Sequence, residues 1–347
     1  MEKKVLIRAD GSEQIGLGHL TRTIDIANEL RNYDFEITFL TKNFKDAISL
    51  IKRTDFKIKK LKKNYTISEV IKEIEEILKI SNNFFEIIIL DLQKEFNNQT
   101  YLDIFKKYSK KIIVFSDDPN PFYIDVDMVF AFSQNQEEYN YEHLNNTKYY
   151  TGLQYFPLNK IYQDVKKKEI LHEIKNILLT FGGADPKNYS NRIGKILKNE
   201  DINANLFLIL GRAFSKRKYK DLLKIKLKNL TIKKDISKMI DYFYESDLCI
   251  CSAGNTLIEL LTCGVPCIVL PQTDIEHIRA EFFSEKNMII NMGLDFTDEL
   301  LISEIKKLIF DYSKRKLFNE NAQKYLDGKG IKRIIDIILN VNNAENF

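Results

Sequence analysis

The residues best suited to chemistry sit in three glycine-rich turns, each between a short apolar run and a helical stretch. The first, RADGSEQIGLGHLTR (8–22), sets His19 directly after Gly16 and Gly18. Glycine lets the backbone approach a ligand closely, and the helix that follows points free N–H groups toward anionic oxygens. Imidazole is the side chain best poised for proton transfer near neutral pH. An isolated histidine is more often structural, but this Gly-His context at a strand-to-helix turn favours a chemical role. The spacing is not that of the dinucleotide fingerprint, because Thr21 and Arg22 follow where a third glycine would stand.

The second turn lies in LTFGGADPKNYSNRIGKIL (179–197). Gly182 and Gly183 suit a tight turn with close ligand approach, Asp185–Pro186 reads as a helix start, and Asn188 and Ser190 add hydrogen-bonding groups. A plain strand-to-helix turn would look the same.

The third, SDLCICSAGNTLIELLTCGVPCIVLP (246–271), is the most informative. Ser252, Gly254, Asn255 and Thr256 make a small-residue turn at a helix N-terminus, suited to a diphosphate. Glu259 lies one turn inside that helix; a carboxylate does not favour a phosphate, so a ribose is its better partner. The next loop-to-helix transition, PQTDIEHIRAEFF (271–283), brings Gln272, Glu276 and His277 toward the same region.

The elements that must position these turns alternate as in βαβ units and parallel sheets. In the first half, strands are expected at 5–9, 36–40, 86–90, 111–115 and 127–131, with helices at 21–30 and 67–80. In the second half, strands are expected at 176–181, 205–210, 230–232, 248–251, 267–270 and 288–290. Helices are expected there at 188–198, 236–244 and 256–263, and a last one at 331–339. The stretch around 149–168 has no clean period and contains Gly152 and Pro157. These readings divide the chain into a first α/β domain (1–155), a connector (156–172), a second α/β domain (173–340) and a frayed tail (341–347).

A length of 347 residues suits two such domains. The balance of 53 basic against 49 acidic residues, net +4, argues against a dedicated nucleic-acid binder. Lysine-rich stretches such as KKLKKN (59–64) read as solvated surface. No signal peptide is visible, and no run reaches the ~18 apolar residues that span a bilayer. A cytoplasmic location is therefore expected. Cys249, Cys251, Cys263 and Cys267 lack paired C-x-x-C spacing and read as small core residues in a reducing compartment, with no metal expected.

Taken in order, the strand–D-G–Gly-x-Gly-His–helix segment, F-G-G-x-D-P and S-A-G-x-T-x-x-E-x-x-x-x-G-x-P resemble the PseG-type UDP-sugar hydrolases of pseudaminic acid biosynthesis. They are also similar to the SpsG-like predicted glycosyltransferases, and both groups resemble the wider GT-B fold of the MurG type. FSDDP (115–119), GLQY (152–155) and LDGKGIKRI (326–334) are supporting matches. The resemblance implies two Rossmann-like domains with parallel sheets facing across a cleft. It implies hydrolysis of a UDP-linked deoxy-acetamido sugar to UDP and free sugar, in nonulosonic acid or surface-glycan biosynthesis. His19 would be the catalytic base, with Gly16, Gly18, Arg22, Asp91, Gly182, Gly183, Asp185, Ser252, Gly254, Asn255, Thr256 and Glu259 contacting substrate. No cofactor is implied.

Three stretches depart from the family pattern: LDLQKE (90–95), which keeps Asp91 but has Gln93 for an aromatic, PLNKIY (157–162), and TDIEH (273–277). They leave the sugar, and water versus a saccharide or lipid acceptor, open; a GT-B glycosyltransferase is the alternative. A nucleotide-sugar-binding regulator is a third, disfavoured by His19. The oligomeric state is not legible.

Overall fold

The computed structural model describes residues 3–12, 16–62, 66–81, 83–91, 99–117, 124–132, 146–166, 168–211, 213–227, 229–234, 236 and 238–340. Gln93 and the 341–347 tail lie outside these residues. The chain divides into two units, Met1–Gln163 with Gly328–Phe347, and Asp164–Asp327.

The first unit runs β1 (Lys3–Ala9), α1 (Gly18–Arg31), β2 (Phe35–Lys42), α2 (Lys45–Ile51), β3 (Lys57–Leu61), α3 (Ile67–Ser81), β4 (Ile87–Asp91), α4 (Gln99–Lys106), β5 (Ile112–Ser116), β6 (Met128–Ala131) and β7 (Lys148–Thr151). Among the described residues these strands form one parallel sheet in the order β3-β2-β1-β4-β5-β6-β7. Ile7 pairs with Phe39 on one side and Ile89 on the other. The inner strands are buried on both faces, which is why they read as unbroken apolar runs. On one face Leu6, Leu40, Ile88 and Val114 pack with Val70, Ile74 and Leu78 of α3 and Leu102 and Phe105 of α4. β3 and β7 were not expected from the sequence; both are edge strands with mixed exposure.

The second unit runs β8 (Asn176–Thr180), α5 (Tyr189–Lys198), β9 (Asn205–Leu210), α6 (Lys216–Leu223), β10 (Leu230–Lys234), α7 (Met239–Glu245), β11 (Leu248–Cys251), α8 (Asn255–Thr262), β12 (Cys267–Val269), α9 (Asp274–Glu285), β13 (Ile289–Asn291), α10 (Asp298–Phe310) and α11 (Tyr312–Tyr325). Its described strands form a second parallel sheet, β10-β9-β8-β11-β12-β13. Ile177, Leu179, Leu208, Ile250 and Ile268 pack with Ile193 and Leu197 of α5 and Leu301, Ile305 and Leu308 of α10.

The last helix, α12 (Gly330–Leu339), belongs to the first unit. Sequence order groups this helix with the second α/β domain (173–340), so its place in the first unit is a difference. It packs on α1 and on the 3-10 turn Leu153–Tyr155. Lys111 Nζ donates to the Ile338 carbonyl, and Arg333 Nη1 to that of Gln154. An amphipathic helix near the chain's end declares that it must bury one face, but not against which sheet. Residues 156–163, read as connector, also fall in the first unit, where Asn159 Nδ2 donates to Asp25 at 2.6 Å.

Candidate functional site

In each sheet the strand order reverses at one place, between β1 and β4 in the first unit and between β8 and β11 in the second. Ligands of open parallel sheets bind beyond the carboxyl ends of the strands at such switch points. All three glycine-rich turns fall there.

In the first unit β1 ends at Ala9 and the chain turns through an isolated bridge, Ser12 N donating to the Gly16 carbonyl at 3.1 Å. Gly16 holds φ +69°, a left-handed conformation suited to glycine. The turn is held from below by Arg8, fully buried, whose Nη1 and Nη2 grip both oxygens of Asp10 while Nε donates to Tyr101 Oη. Asp10 also accepts from the Lys42 amide at 2.8 Å. Burial opposes ionisation of Asp10, but Arg8 outweighs it and holds the carboxyl below its usual range.

His19 lies in the first turn of α1, whose N-terminus has no side-chain cap. Its Nδ1 is 2.7 Å from Asp91 Oδ1 at the end of β4. An ionised carboxylate only accepts, so this contact is made when Nδ1 carries the proton, which leaves the neutral ring's lone pair on Nε2; Arg22 Nη2, 3.1 Å from the same nitrogen, then spends its proton on Asp91 at 2.5 Å. Arg22, one turn further along α1, donates through Nε and Nη2 to Asp91 at 2.5 Å each and through Nη1 to both oxygens of Asp117. Its guanidinium lies over the Phe132 ring at 5.1 Å.

Burial alone would raise the Asp91 pKa; Arg22 and His19 overcome it and bring it to about 2. For His19 burial disfavours the cation, yet Asp91 outweighs burial and the pKa ends above the ordinary value. The His19 side chain is 20% exposed, whereas those of Asp91 and Arg22 are 0% and 4%. Arg22 and Asp91, expected to touch substrate, therefore lie behind His19 as an ion-paired support. Asp117, which the sequence offers only inside the FSDDP (115–119) match and not as a site residue, is the further member. Its position just past β5, the neighbour of β4, was the available signal.

In the second unit Gly182 (φ +74°) and Ser252 come together: a Cβ on Gly182 would stand 3.9 Å from Ser252 Oγ. The α8 N-terminus at Gly254 has no side-chain cap and no acidic residue in its first turn, as an anion site requires, although the Glu276 carboxylate stands beside it, 3.6 Å from where a Gly254 Cβ would lie. Gln272 joins the turns: its Nε2 donates to the Phe181 carbonyl at 3.0 Å and its Oε1 accepts from the Lys187 amide at 3.3 Å. Glu276 accepts from the amides of Gln272 and Ala253, and burial pushes its pKa up. Arg279 Nη1 completes the brace on the Ala253 carbonyl. Gly254, Asn255, Thr256 and Glu259 are half-buried, as a lining position requires, and Ser252 is buried.

Asp185 differs from its expected role at the substrate. It is buried, and its two carboxylate oxygens accept from the amides of Tyr189 and Ser190, both at 2.8 Å. Those are the orphan donors at the start of α5, so Asp185 works as that helix's cap. Asn188 sits before α5 at φ +57° and bonds Asn191. All four cysteines are buried, and three of them, Cys249, Cys251 and Cys267, bring their sulfurs within 4.8 Å of one another. Among the described residues no helix is long and apolar enough to cross a membrane.

Residues 176–336 match the Glycosyltransferase family 28 C-terminal domain. The chain is 33% identical over 290 residues to an uncharacterized protein of Methanocaldococcus jannaschii, covering 79% of this chain and 57% of that protein, so it spans little more than half that relative's length. It is 25% identical over 353 residues to the spore coat polysaccharide biosynthesis protein SpsG of Bacillus subtilis, covering 98% of each. Its fold is similar to that of MurG from Acinetobacter baumannii, with TM-score 0.71 and 16% identity over 98% of this chain and 100% of that one. With two all-parallel α/β units and a MurG-like arrangement of strands, the chain has the GT-B fold, and its second half is similar to the family 28 C-terminal domain.

Proposed function

We propose that the chain cleaves the anomeric C–O bond of a UDP-linked deoxy-acetamido sugar, with water as acceptor, in nonulosonic acid or surface-glycan biosynthesis. The observation that carries the reading is the His19–Asp91 pair at 2.7 Å, which leaves Nε2 as a proton acceptor at a sheet switch point. The water oxygen attacks C1, its proton passes to His19 Nε2, and the bonding pair leaves with UDP. A nucleoside diphosphate is already a good leaving group, so N–H donors of the 252–256 turn and one oriented water supply the required stabilisation. Glu259 is the ribose acceptor in this scheme. The motif resemblance and the polysaccharide role in the name of the SpsG relative support the substrate class.

A second reading is favoured by the family 28 match: the same base deprotonates a saccharide or lipid hydroxyl and the sugar is transferred. Incubating the protein with a panel of UDP-sugars and no acceptor, read by mass spectrometry, separates the two. Free sugar in step with UDP is expected. A donor that stays intact until a hydroxyl acceptor is added overturns hydrolysis and leaves transfer, and a donor that is never consumed overturns both.

A further inference from the structure

β11 and β12 are neighbouring parallel strands with Cys249 paired to Cys267, and Cys251 two residues along β11. Leu248, Ile250, Ile268 and Leu270 enter the apolar cluster on one face of the sheet. By strand alternation, the three cysteines project from the other face. Each is fully buried, and their sulfurs all lie within 4.8 Å of one another. We propose that Cys249, Cys251 and Cys267 form a buried trithiol site for a trivalent thiophilic metalloid of the arsenite class.

Geometry admits a three-coordinate guest. Some point lies within ~2.8 Å of all three sulfurs at that spacing, close to a metal–thiolate bond of ~2.3 Å. Charge selects among the guests. Three thiolates around monovalent copper leave two negative charges in the core. Divalent zinc leaves one and wants a fourth ligand, while the described cluster has three. Trivalent arsenic leaves none, and uncompensated buried charge is strongly disfavoured. Arg279, which donates to the Ala253 carbonyl two residues beyond Cys251, is attracted to the nearby Glu276 carboxylate.

The reaction needs no redox partner. Arsenous acid exchanges its three As–O bonds for three As–S bonds, and each thiol proton leaves with a hydroxide as water. Burial of all three sulfurs makes entry depend on local opening, so uptake is slow and is accelerated by mild urea. Cys251 directly precedes Ser252, so the occupied site lies one residue below the candidate diphosphate turn.

The test uses the full chain, kept reduced with a phosphine and incubated with sodium arsenite, and native mass spectrometry. The expected gain is one arsenic less three hydrogens, in the wild type and in Cys263→Ala. Cys249→Ala, Cys251→Ala and Cys267→Ala each lose that three-coordinate adduct. Arsenic-edge X-ray absorption of the wild type is expected to show three sulfur neighbours and no oxygen, which keeps the test decisive should a variant fail to fold. No adduct in mild urea, oxygen in the arsenic shell, an unchanged adduct in Cys251→Ala, or stoichiometric uptake of zinc or copper(I) in preference to arsenite overturns the proposal. None of these readouts depends on turnover of a UDP-sugar.

Discussion

His19 Nδ1 and Asp91 Oδ1 stand 2.7 Å apart at the ends of α1 and β4, and this contact sets both the tautomer and the basicity of the imidazole. Asp91 favours the imidazolium, so the His19 pKa lies above 6.5 and the base is competent only once pH has risen through it. Asp91→Asn removes that stabilisation, and the acid limb of the kcat/KM profile moves to lower pH. The rate also falls, by about 10²-fold or more, because the ring is no longer held in one tautomer. A pH–rate profile of the variant checks this, and an unmoved limb would show that His19 is not the titrating group. His19→Ala is expected to lose ~10²–10⁴-fold in kcat while keeping its affinity for UDP.

Asp25, on α1 one turn beyond Arg22, carries a titration of opposite consequence. Burial raises its pKa from 3.8 to about 6, and Glu29 adds to the shift while the Asn159 amide opposes it. The folded state thus holds the proton more tightly than the unfolded chain does. The associated stability is fully present below pH 3.8 and is lost as pH rises through about 6. Asp25→Asn keeps an acceptor for Asn159 but does not titrate. It is expected to be more stable than wild type by about 1–3 kcal/mol at pH 7.5 and near neutral in effect at pH 4. Urea melts at the two pH values measure it; equal differences at both would contradict the assignment.

The sequence made the inner strands and His19 legible for one physical reason: both are local. Strands such as IIILD (Ile87–Asp91) are buried on both faces and read as unbroken apolar runs. KIKKL (Lys57–Leu61) and KYYT (Lys148–Thr151) are edge strands with exposed lysines, so the same signal is absent and one of them overlapped a stretch read as solvated surface. The Gly-rich turn announced His19, but the support behind it did not announce itself. Arg22, Asp91 and Asp117 come from α1, β4 and the end of β5, and only the parallel stacking of β4 on β5 brings the two carboxylates to one guanidinium. Asp185 reads both as a helix start and as a substrate contact, because a carboxylate before a helix serves a ligand or a cap equally well in sequence, and its two bonds to the α5 amides favour the cap.

Gly211 and Gly183 offer a paired test of the second glycine turn. A Cβ on Gly211 would meet the Gly183 Cα at 2.4 Å and the Gly182 carbonyl oxygen at 2.7 Å, so the turn itself must move. Gly211→Ala is expected to cost about 1–3 kcal/mol and to weaken UDP binding with it. A Cβ on Gly183 meets nothing within 4 Å. Gly183→Ala is therefore expected to keep its stability and to lose UDP affinity only, because the ligand approaches the backbone there. Thermal melts and calorimetric titration with UDP read both. Unchanged UDP affinity in Gly183→Ala would remove this turn from the binding surface.

Gly330 tests the return of the last helix to the first unit. At the start of α12 its Cα faces the chain at Phe156, and an added Cβ would lie 2.0 Å from the Phe156 carbonyl oxygen and 3.0 Å from its nitrogen. Both are backbone atoms, so no rotamer change relieves the clash. Gly330→Ala is expected to cost about 2–4 kcal/mol and to loosen α12. Hydrogen exchange should then accelerate in α12 and in the segments it covers, α1 and Leu153–Tyr155, while β8 to β13 keep their protection. Acceleration confined to the second unit would instead return the helix to the domain in which its sequence position suggested it belonged.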